Sequence, residues 1–198
     1  CISRQRRWGL PIPVFYCSDC GKPIVTDETI QLISDLFGAE GSNAWFAKEA
    51  ADILPAGFTC PHCGKSNGFT KEEDTLDGWF DSGSSHFASM KKDQGFWPAD
   101  VYMEGLDQYR GWFQAALLTA VGSTGVAKAP FKTCITHGWT VDGEGKAMHK
   151  SLGNGVDPYD IMNKYGADLI RLWAASADYH ADMRCSEKIF KQLSQNYL

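Results

Sequence analysis

The 198-residue chain has no apolar run approaching the ~18–20 residues needed to cross a bilayer, so no segment reads as a membrane span. It has no internal repeat and no low-complexity tract, which excludes a solenoid and a mainly disordered chain. Basic charge is not in excess either. Nineteen Lys and Arg against 24 Asp and Glu leave a net charge of -5, which argues against a general electrostatic grip on nucleic acid and leaves only local patches such as "RQRR" at 4–7. Two phosphate signatures are missing: there is no G-x-x-x-x-G-K-[ST], and no G-x-G-x-x-G after a strand pattern. An initial Met is absent, and the chain opens at Cys1 inside what reads as a strand or loop, as expected of a piece of a longer polypeptide.

Hydrophobic residues make up 43% of the chain and charged residues 22%, enough to bury a real core. Seven Trp and eleven Phe predict large pockets or thick packing layers. The length fits one domain with an insertion, or one domain with a small satellite. Periodicity predicts an amphipathic helix near 27–37, with Ile30, Ile33, Leu36 and Phe37 at helical spacing. "ADVYMEG" at 99–105 reads as a short buried strand, "YRGWFQAALLTAVGS" as a strongly apolar helix, and "FKTCITHGWTV" as a second strand. Further on, Asp157 is placed to N-cap a helix, Pro158 suits its first position, and Gly166 is placed to stop or turn it. A last helix is expected from near Ser186 to the end. Strand, helix, strand, helix in this order predicts an α/β layer fold with a parallel sheet.

Seven cysteines include one C-x2-C at Cys17 and Cys20 and a second at Cys60 and Cys63. Thiolates so spaced on a tight turn can share one tetrahedral ion, with Zn–S near ~2.3 Å. Gly21 and Gly64, directly after the pairs, let the backbone turn back towards the sulfurs. The pattern favours a metal site in a reducing compartment over a disulfide framework, with zinc ahead of iron. The plain alternative is four ordinary cysteines in two turns. Four thiolates leave zinc no open position, so the ion is expected to be structural. His62, inside the second pair, reads as a solvent-facing turn residue rather than a ligand.

"WFDSGSSH" (79–86) and "EGLDQYRGWF" (104–113) are the next informative segments. Glu104, Gly105, Asp107 and Gln108 fall where a strand ends and a helix begins, and in open parallel sheets the ligand crevice lies at such carboxyl ends. Carboxylate and amide groups there suit an ammonium group and hydroxyls, and Gly105 lets a ligand approach the backbone. Trp79 and Trp112 can wall an apolar pocket or can simply be core. "GEGKAMHKSLGN" at 143–154 sets Lys146, Lys150 and Ser151 among glycines. Taken alone, it is either an anion-binding loop or a solvated turn.

Taken in order, "CISRQRRWGLPIPVFYC", "DTLDGWFDSGSSH", "YMEGLDQYRGWF", "ITHGWTVDGEGKAMHKSLGN" and "DPYDIMNKYGADLIRLWAAS" resemble the class I aminoacyl-tRNA synthetases. The likeness is collinear along most of the chain, and "WFDSGSSH" followed by "EGLDQYRGWF" is most similar to the isoleucine branch, ahead of its valine and leucine relatives. The resemblance implies the C-terminal half of a split Rossmann-like α/β catalytic domain, with an inserted zinc knuckle and the start of a helical region. Residues 1–16 and 71–155 would form the catalytic half-domain, 17–70 the zinc-binding insertion, and 156–198 the helical region leading towards an anticodon-binding domain. The family's HIGH motif and its editing domain belong outside this chain, since His137-Gly138 is followed by Trp139 and sits on the later strand.

The resemblance also implies roles. Glu104, Gly105, Asp107 and Gln108 would hold the aminoacyl-adenylate, Gln108 at the amino group and Glu104 at the adenylate. Trp79 and Trp112 would wall the isoleucine side-chain pocket, with His137 and Gly138 beside the adenosine. The family's KMSKS motif falls on Ala147-Met148-His149-Lys150-Ser151, where Ala147 and His149 depart from it. Lys150 is expected to carry the main, catalytic ATP contact, with Ser151 beside it and His149 as a secondary donor. Lys146 can supply the displaced cation. The implied partners are ATP with Mg2+, L-isoleucine and tRNA(Ile), in a cytoplasmic, monomeric parent enzyme with structural zinc and no membrane association. This piece alone is expected to be inactive. The competing reading, from the cysteines, "RQRR" and the missing HIGH motif, is a free-standing zinc module that binds nucleic acid or protein.

Overall fold

Residues 1–91, 95–123 and 127–197 are described in the computed structural model of the chain. They belong to two units, Cys1–Ser84 and Ser85–Leu198.

In the first unit, β1 (Ser3–Arg4) is the start of the basic segment, and β2 (Phe15–Cys17) lies between β3 (Pro23–Ile24) and β4 (Phe69–Lys71) in an antiparallel sheet. β5 (Thr75–Leu76) pairs with β1, and the Arg4 guanidinium meets Asp77 at 2.8 Å. Helix α1 (Asp27–Glu40) starts on a reciprocal cap: Thr26 Oγ1 accepts the Thr29 amide at 3.2 Å, and Thr29 Oγ1 accepts the Thr26 amide at 2.9 Å. That cap turns Thr29 inward with Ile33, and Ile30, expected on the buried face, stays 40% exposed. Short helices α2 (Ala44–Ala47) and α3 (Ala50–Ile53) complete a core of Phe15, Ile24, Ile33, Trp45, Ile53 and Leu54. The buried Trp45 donates its indole N–H to the Glu72 carbonyl at 2.9 Å. Helix α4 (Gly78–Ser85) carries Trp79.

The second unit starts with a π-helical turn, His86–Lys91, followed by β6 (Ala99–Gly105), a 3-10 turn at Leu106–Arg110, α5 (Trp112–Ser123) and β7 (Phe131–His137). β6 and β7 are parallel, in a register that runs from Ala99 against Phe131 to Gly105 against His137. The expected strand–helix–strand crossover is therefore present. Among the described residues β6 pairs with β7 alone, and α5 covers one face by packing Phe113 and Ala116 on Ala99 and Tyr102. For that reason the 99–105 segment, read as buried, hides only Ala99, Tyr102 and Gly105 and leaves Val101 and Met103 exposed.

β8 (Thr140–Val141) pairs in parallel with β9 (Met183–Arg184), and α6 (Pro158–Tyr165) and α7 (Ala167–Ser176) lie between them in the chain. Asp157 caps α6 by accepting the Tyr159 amide at 2.8 Å, Pro158 takes its first position, and Gly166 turns the chain at φ 88°. Helix α8 (Glu187–Tyr197) adds Phe190 to a core with Ile161, Leu169 and Cys185. Leu198, the last residue of the expected terminal helix, lies outside the described residues.

His86 is fully buried. The Trp97 indole N–H donates to its Nδ1 at 3.1 Å, so the ring proton sits on Nε2, 3.1 Å from Thr119 Oγ1. Burial, and then the charge of Lys91, lower its pKa. Stability contributed by the neutral ring is complete above the unfolded value of ~6.5 and is lost as pH falls through it towards the folded value. His86→Gln should therefore flatten the decline of the urea midpoint between about pH 7 and pH 5. An unchanged slope in the variant would refute this assignment.

Candidate functional site

The parallel register brings the carboxyl ends of β6 and β7 side by side, and Glu104, Gly105, His137 and Gly138 meet there. Glu104 Oε1 accepts the Gly105 amide at 2.8 Å and stands 3.6 Å from His137 Nε2. His137 Nδ1 faces the Gly138 carbonyl at 2.9 Å, so that nitrogen carries the proton, and Nε2 is directed to the carboxylate side. A Cβ on Gly105 would fall 2.7 Å from Asp107 Oδ1 and 3.5 Å from the His137 ring, so glycine is what lets carboxylate and imidazole crowd this strand end. Gln108 Oε1 accepts the Trp112 amide at 2.8 Å and thereby starts α5, while its Nε2 lies 3.4 Å from Asp107 Oδ2. Together these side chains offer an acidic, hydrogen-bonding edge suited to an ammonium group or to hydroxyls.

Trp112 stacks on Tyr102 with ring centroids 4.3 Å apart and planes at 15°. Trp79 is half-exposed and belongs to the first unit, where its amide donates to Asp77 Oδ1 at 2.9 Å. The Tyr102 hydroxyl is buried with no hydrogen-bond partner among the described residues, and burial raises its pKa. Asp81, inside "WFDSGSSH", also has a buried, unpartnered carboxylate oxygen, and its pKa is raised by burial and then by the charge of Asp77.

Beyond β8, the glycine-rich loop is closed on itself. Val141 bridges Ala147, and the Asp142 amide donates to the Lys146 carbonyl at 2.8 Å. Lys146, on the outside, pairs with Glu144 at 2.9 Å. Lys150–Leu152 form a 3-10 turn that ends on Gly153 at φ 61°. Met148, His149, Lys150, Gly153 and Gly155 line a cavity of about 360 Å³, and Met148 also packs against the Ile161–Phe190 core. Ser151 is exposed on the 3-10 turn.

In the first unit, the four sulfurs of Cys17, Cys20, Cys60 and Cys63 lie within 4.8 Å of one another. The Cys17–Cys63 separation is 3.7 Å and the Cys20–Cys60 separation 3.8 Å. A tetrahedron of ~2.3 Å Zn–S bonds has S···S edges of roughly 3.8 Å, so the donor set fits one such ion. Two matching turns build it. Gly21 and Gly64, at φ 69° and 73°, each donate their amide at 2.8 Å to the carbonyl of the first cysteine of their pair. His62 stays exposed, with Nε2 turned to the Pro23 carbonyl at 3.0 Å, and is not among the clustered ligand atoms. Burial acts to raise the Cys60 thiol, but the His62 and Cys63 amides and neighbouring sulfurs bring it down to about 6. The Lys65 amide lowers Cys63, yet burial and three adjacent sulfurs push it up to about 12. Four thiolates at this spacing need a cation to ionise together.

A family model described as tRNA synthetases class I (I, L, M and V) matches residues 1–186. The chain belongs to the class I tRNA synthetases. It is 56% identical to the isoleucine–tRNA ligase of Desulforamulus reducens and 57% identical to that of Caldanaerobacter subterraneus subsp. tengcongensis, in each case over 100% of this chain and 21% of the relative. The chain thus spans about a fifth of the length of these curated relatives. Its fold is similar to a crystal structure of Agrobacterium radiobacter K84 agnB2 LeuRS in ternary complex with tRNA and LeuAMS, at TM-score 0.63 and 24% identity over 98% of this chain and 26% of that one.

In this synthetase segment several contacts escape a reading of the sequence. The polar clasp of Asp142 and Asn154 looks like ordinary loop composition until the two side chains are seen bonded at 2.8 Å. Gly138 is pressed against a backbone 43 residues further on: a Cβ there would lie 2.4 Å from the Ala181 carbonyl oxygen and 2.8 Å from the Asp182 amide nitrogen. Only the glycine itself signals it. Neither backbone can yield cheaply, because Gly138 donates to Tyr179 O at 2.9 Å and Trp139 to Asp182 Oδ1 at 2.8 Å. Gly138→Ala should lower unfolding free energy by about 1–3 kcal/mol, read from the urea midpoint. Gly122→Ala, with open space around its Cβ on α5, should be neutral or stabilising. Equal midpoints for the two variants would disprove the close approach.

Proposed function

We propose that this chain is the second half of the catalytic domain of an isoleucine-activating class I synthetase, working in the cytoplasm on L-isoleucine, ATP with Mg2+ and tRNA(Ile). The observation that carries this reading is the 53–57% identity to isoleucine–tRNA ligases along the whole chain, through both the strand-end carboxylates and the basic loop. The family match over residues 1–186 disfavours a free-standing zinc module. In this reading 1–16 and 71–155 complete a split Rossmann-like domain, 17–70 are its zinc insertion, and 156–198 lead into the helical region.

In the first step the isoleucine carboxylate attacks the α-phosphorus of ATP, the bond to the β-phosphate oxygen breaks, and pyrophosphate leaves. In the second, a ribose hydroxyl at the tRNA 3′ end attacks the acyl carbon and AMP leaves. Neither step needs a protein nucleophile, so positioning and charge stabilisation do the chemistry. Asp107 and Gln108 suit the substrate ammonium group, and Glu104, Gly105, His137 and Gly138 suit the adenosine side of the adenylate. Trp112, held by its stack on Tyr102, suits a wall of the isoleucine side-chain pocket, and Trp79, the other residue expected to line it, lies on α4 in the first unit. Lys150 meets the negative charge that builds on the departing pyrophosphate, with His149, Ser151 and Lys146 as further donors.

In the complete polypeptide, Lys150→Ala should reduce isoleucine-dependent pyrophosphate exchange by about 10²-fold or more, and His149→Ala by about tenfold or less. Exchange that survives Lys150→Ala, or that falls as far with His149→Ala, would count against these roles.

Cys17, Cys20, Cys60 and Cys63 would hold a structural zinc that ties β2 to the second turn and has no part in the reaction. Folded protein should carry about one zinc per chain, and a strong chelator should unfold the first unit while α5 and the 140–197 region keep their amide protection. A folded sample with well under one zinc per chain would sink the assignment.

A further inference from the structure

The 142–154 loop is held by turns of its own backbone and by two side chains outside the KMSKS-like positions. Asp142 Oδ1 accepts the amides of Glu144 at 2.9 Å and Lys146 at 2.8 Å. Its other oxygen accepts Asn154 Nδ2 at 2.8 Å. The same Asn154 nitrogen reaches the Ala147 carbonyl at 3.1 Å, and Asn154 Oδ1 accepts the His149 amide at 2.9 Å. Asn154 thus bonds the backbone on both sides of Met148 and, through Asp142, is linked to the Lys146 amide as well. The Asn154 amide, then the Lys146 and Glu144 amides, hold Asp142 below the usual carboxylate range. Arg184 braces the outside by donating to the Gly143 carbonyl at 3.1 Å.

We propose that Asn154 and Asp142 are positioning residues for ATP: they fix the loop so that His149 and Lys150 line the cavity in a set geometry before any phosphate arrives. This rests on the reading of the loop as an ATP-activating element. Neither side chain lines the cavity, so both act through the loop. Their role is to remove the ordering cost that a floppy glycine loop would otherwise meet on binding a triphosphate. Because Asn154 is donor and acceptor at once, aspartate cannot replace it. Asn154→Asp would set two carboxylates at bonding distance, and one would have to take a proton.

The test uses steady-state pyrophosphate exchange in the complete polypeptide. Asn154→Ala and Asn154→Asp should each raise the KM for ATP about tenfold at pH 8, with the KM for isoleucine unchanged. For Asn154→Asp the ATP KM should return towards the unaltered value as pH falls to about 6, because the shared proton restores a donor. The exchanged pair, Asp142→Asn with Asn154→Asp, keeps an amide-to-carboxylate bond between the two positions and the acceptors for Glu144, Lys146 and His149. It should come within about threefold of the unaltered KM. An ATP KM that stays within twofold in Asn154→Ala overturns the proposal. So does an equal rise in both KM values, or an exchanged pair no better than the single variants. Amide hydrogen exchange on this chain guards against misfolding: Asn154→Ala should expose the amides of Glu144, Lys146 and His149 and leave Cys17–Lys22 protected, and loss of protection in both overturns a local clasp. If the unaltered polypeptide shows no isoleucine-dependent exchange, the functional reading falls and the ATP role falls with it, even where the amide pattern shows the clasp intact.

Discussion

Two parallel strands cannot be joined by a hairpin, so the chain between Gly105 and Phe131 has to cross back over the sheet, and α5 is that crossover. The crossover carries a consequence for chemistry. It puts the carboxyl ends of β6 and β7 on one edge, where Glu104 and Gly105 face Thr136 and His137. A slip of one residue would turn every side chain to the other face and take Tyr102 out from beneath Trp112 and Phe113. The aromatic stack and the carboxylate–imidazole edge are therefore two results of a single register.

The segment that follows uses a different means of order. Gly138 and the Ala181–Asp182 backbone approach more closely than any side chain would permit, which delivers Val141 and Arg184 into the short β8–β9 pair. From there the loop closes through Asp142 and Asn154 rather than through a long ladder. Met148 supplies an apolar anchor by packing on the helices that carry Ile161 and Phe190. Glycines at 145 and 153, both at positive φ, take up the turns that other residues would resist. A polar loop with few backbone bonds is in this way tied at three independent places.

Much of this was legible in the residues. Period and punctuation located α6 between Asp157 and Gly166, and the C-x2-C-G repeats located both turns of the four-cysteine cluster with their glycines. The order strand, helix, strand located the parallel pair. The details that were not legible depend on partners distant in the chain. Ile30 has the right spacing to be buried, but the Thr26–Thr29 cap sets the phase of α1 and turns it out. Val101 and Met103 read as core because an apolar strand suggests two covered faces, while α5 covers one. His86 ends the segment "WFDSGSSH", and nothing there shows that it is buried with its ring bonded to Trp97 and Thr119. Asp142 and Asn154 carry no signature at all, since any loop contains such residues.

Where the expected KMSKS pattern would have other residues, at Ala147 and His149, the loop's geometry bears on what each position must supply. Position 147 serves the ring through its backbone, which bridges Val141 and accepts from Asn154, so the loop's shape makes no demand on the side chain there. Position 149 likewise serves the ring through its amide, which donates to Asn154. The cation that the KMSKS pattern would place at 147 has a neighbour in Lys146, whose ammonium is exposed and, among the described residues, paired with the exposed Glu144. A pair of that kind is worth at most ~1 kcal/mol. A polyphosphate carries several charges against the single one on Glu144, so the pairing poses no barrier to Lys146 turning towards such a ligand. The shape of the loop is thus set by backbone and by two side chains that carry no cation, and the cationic positions are left to vary around it.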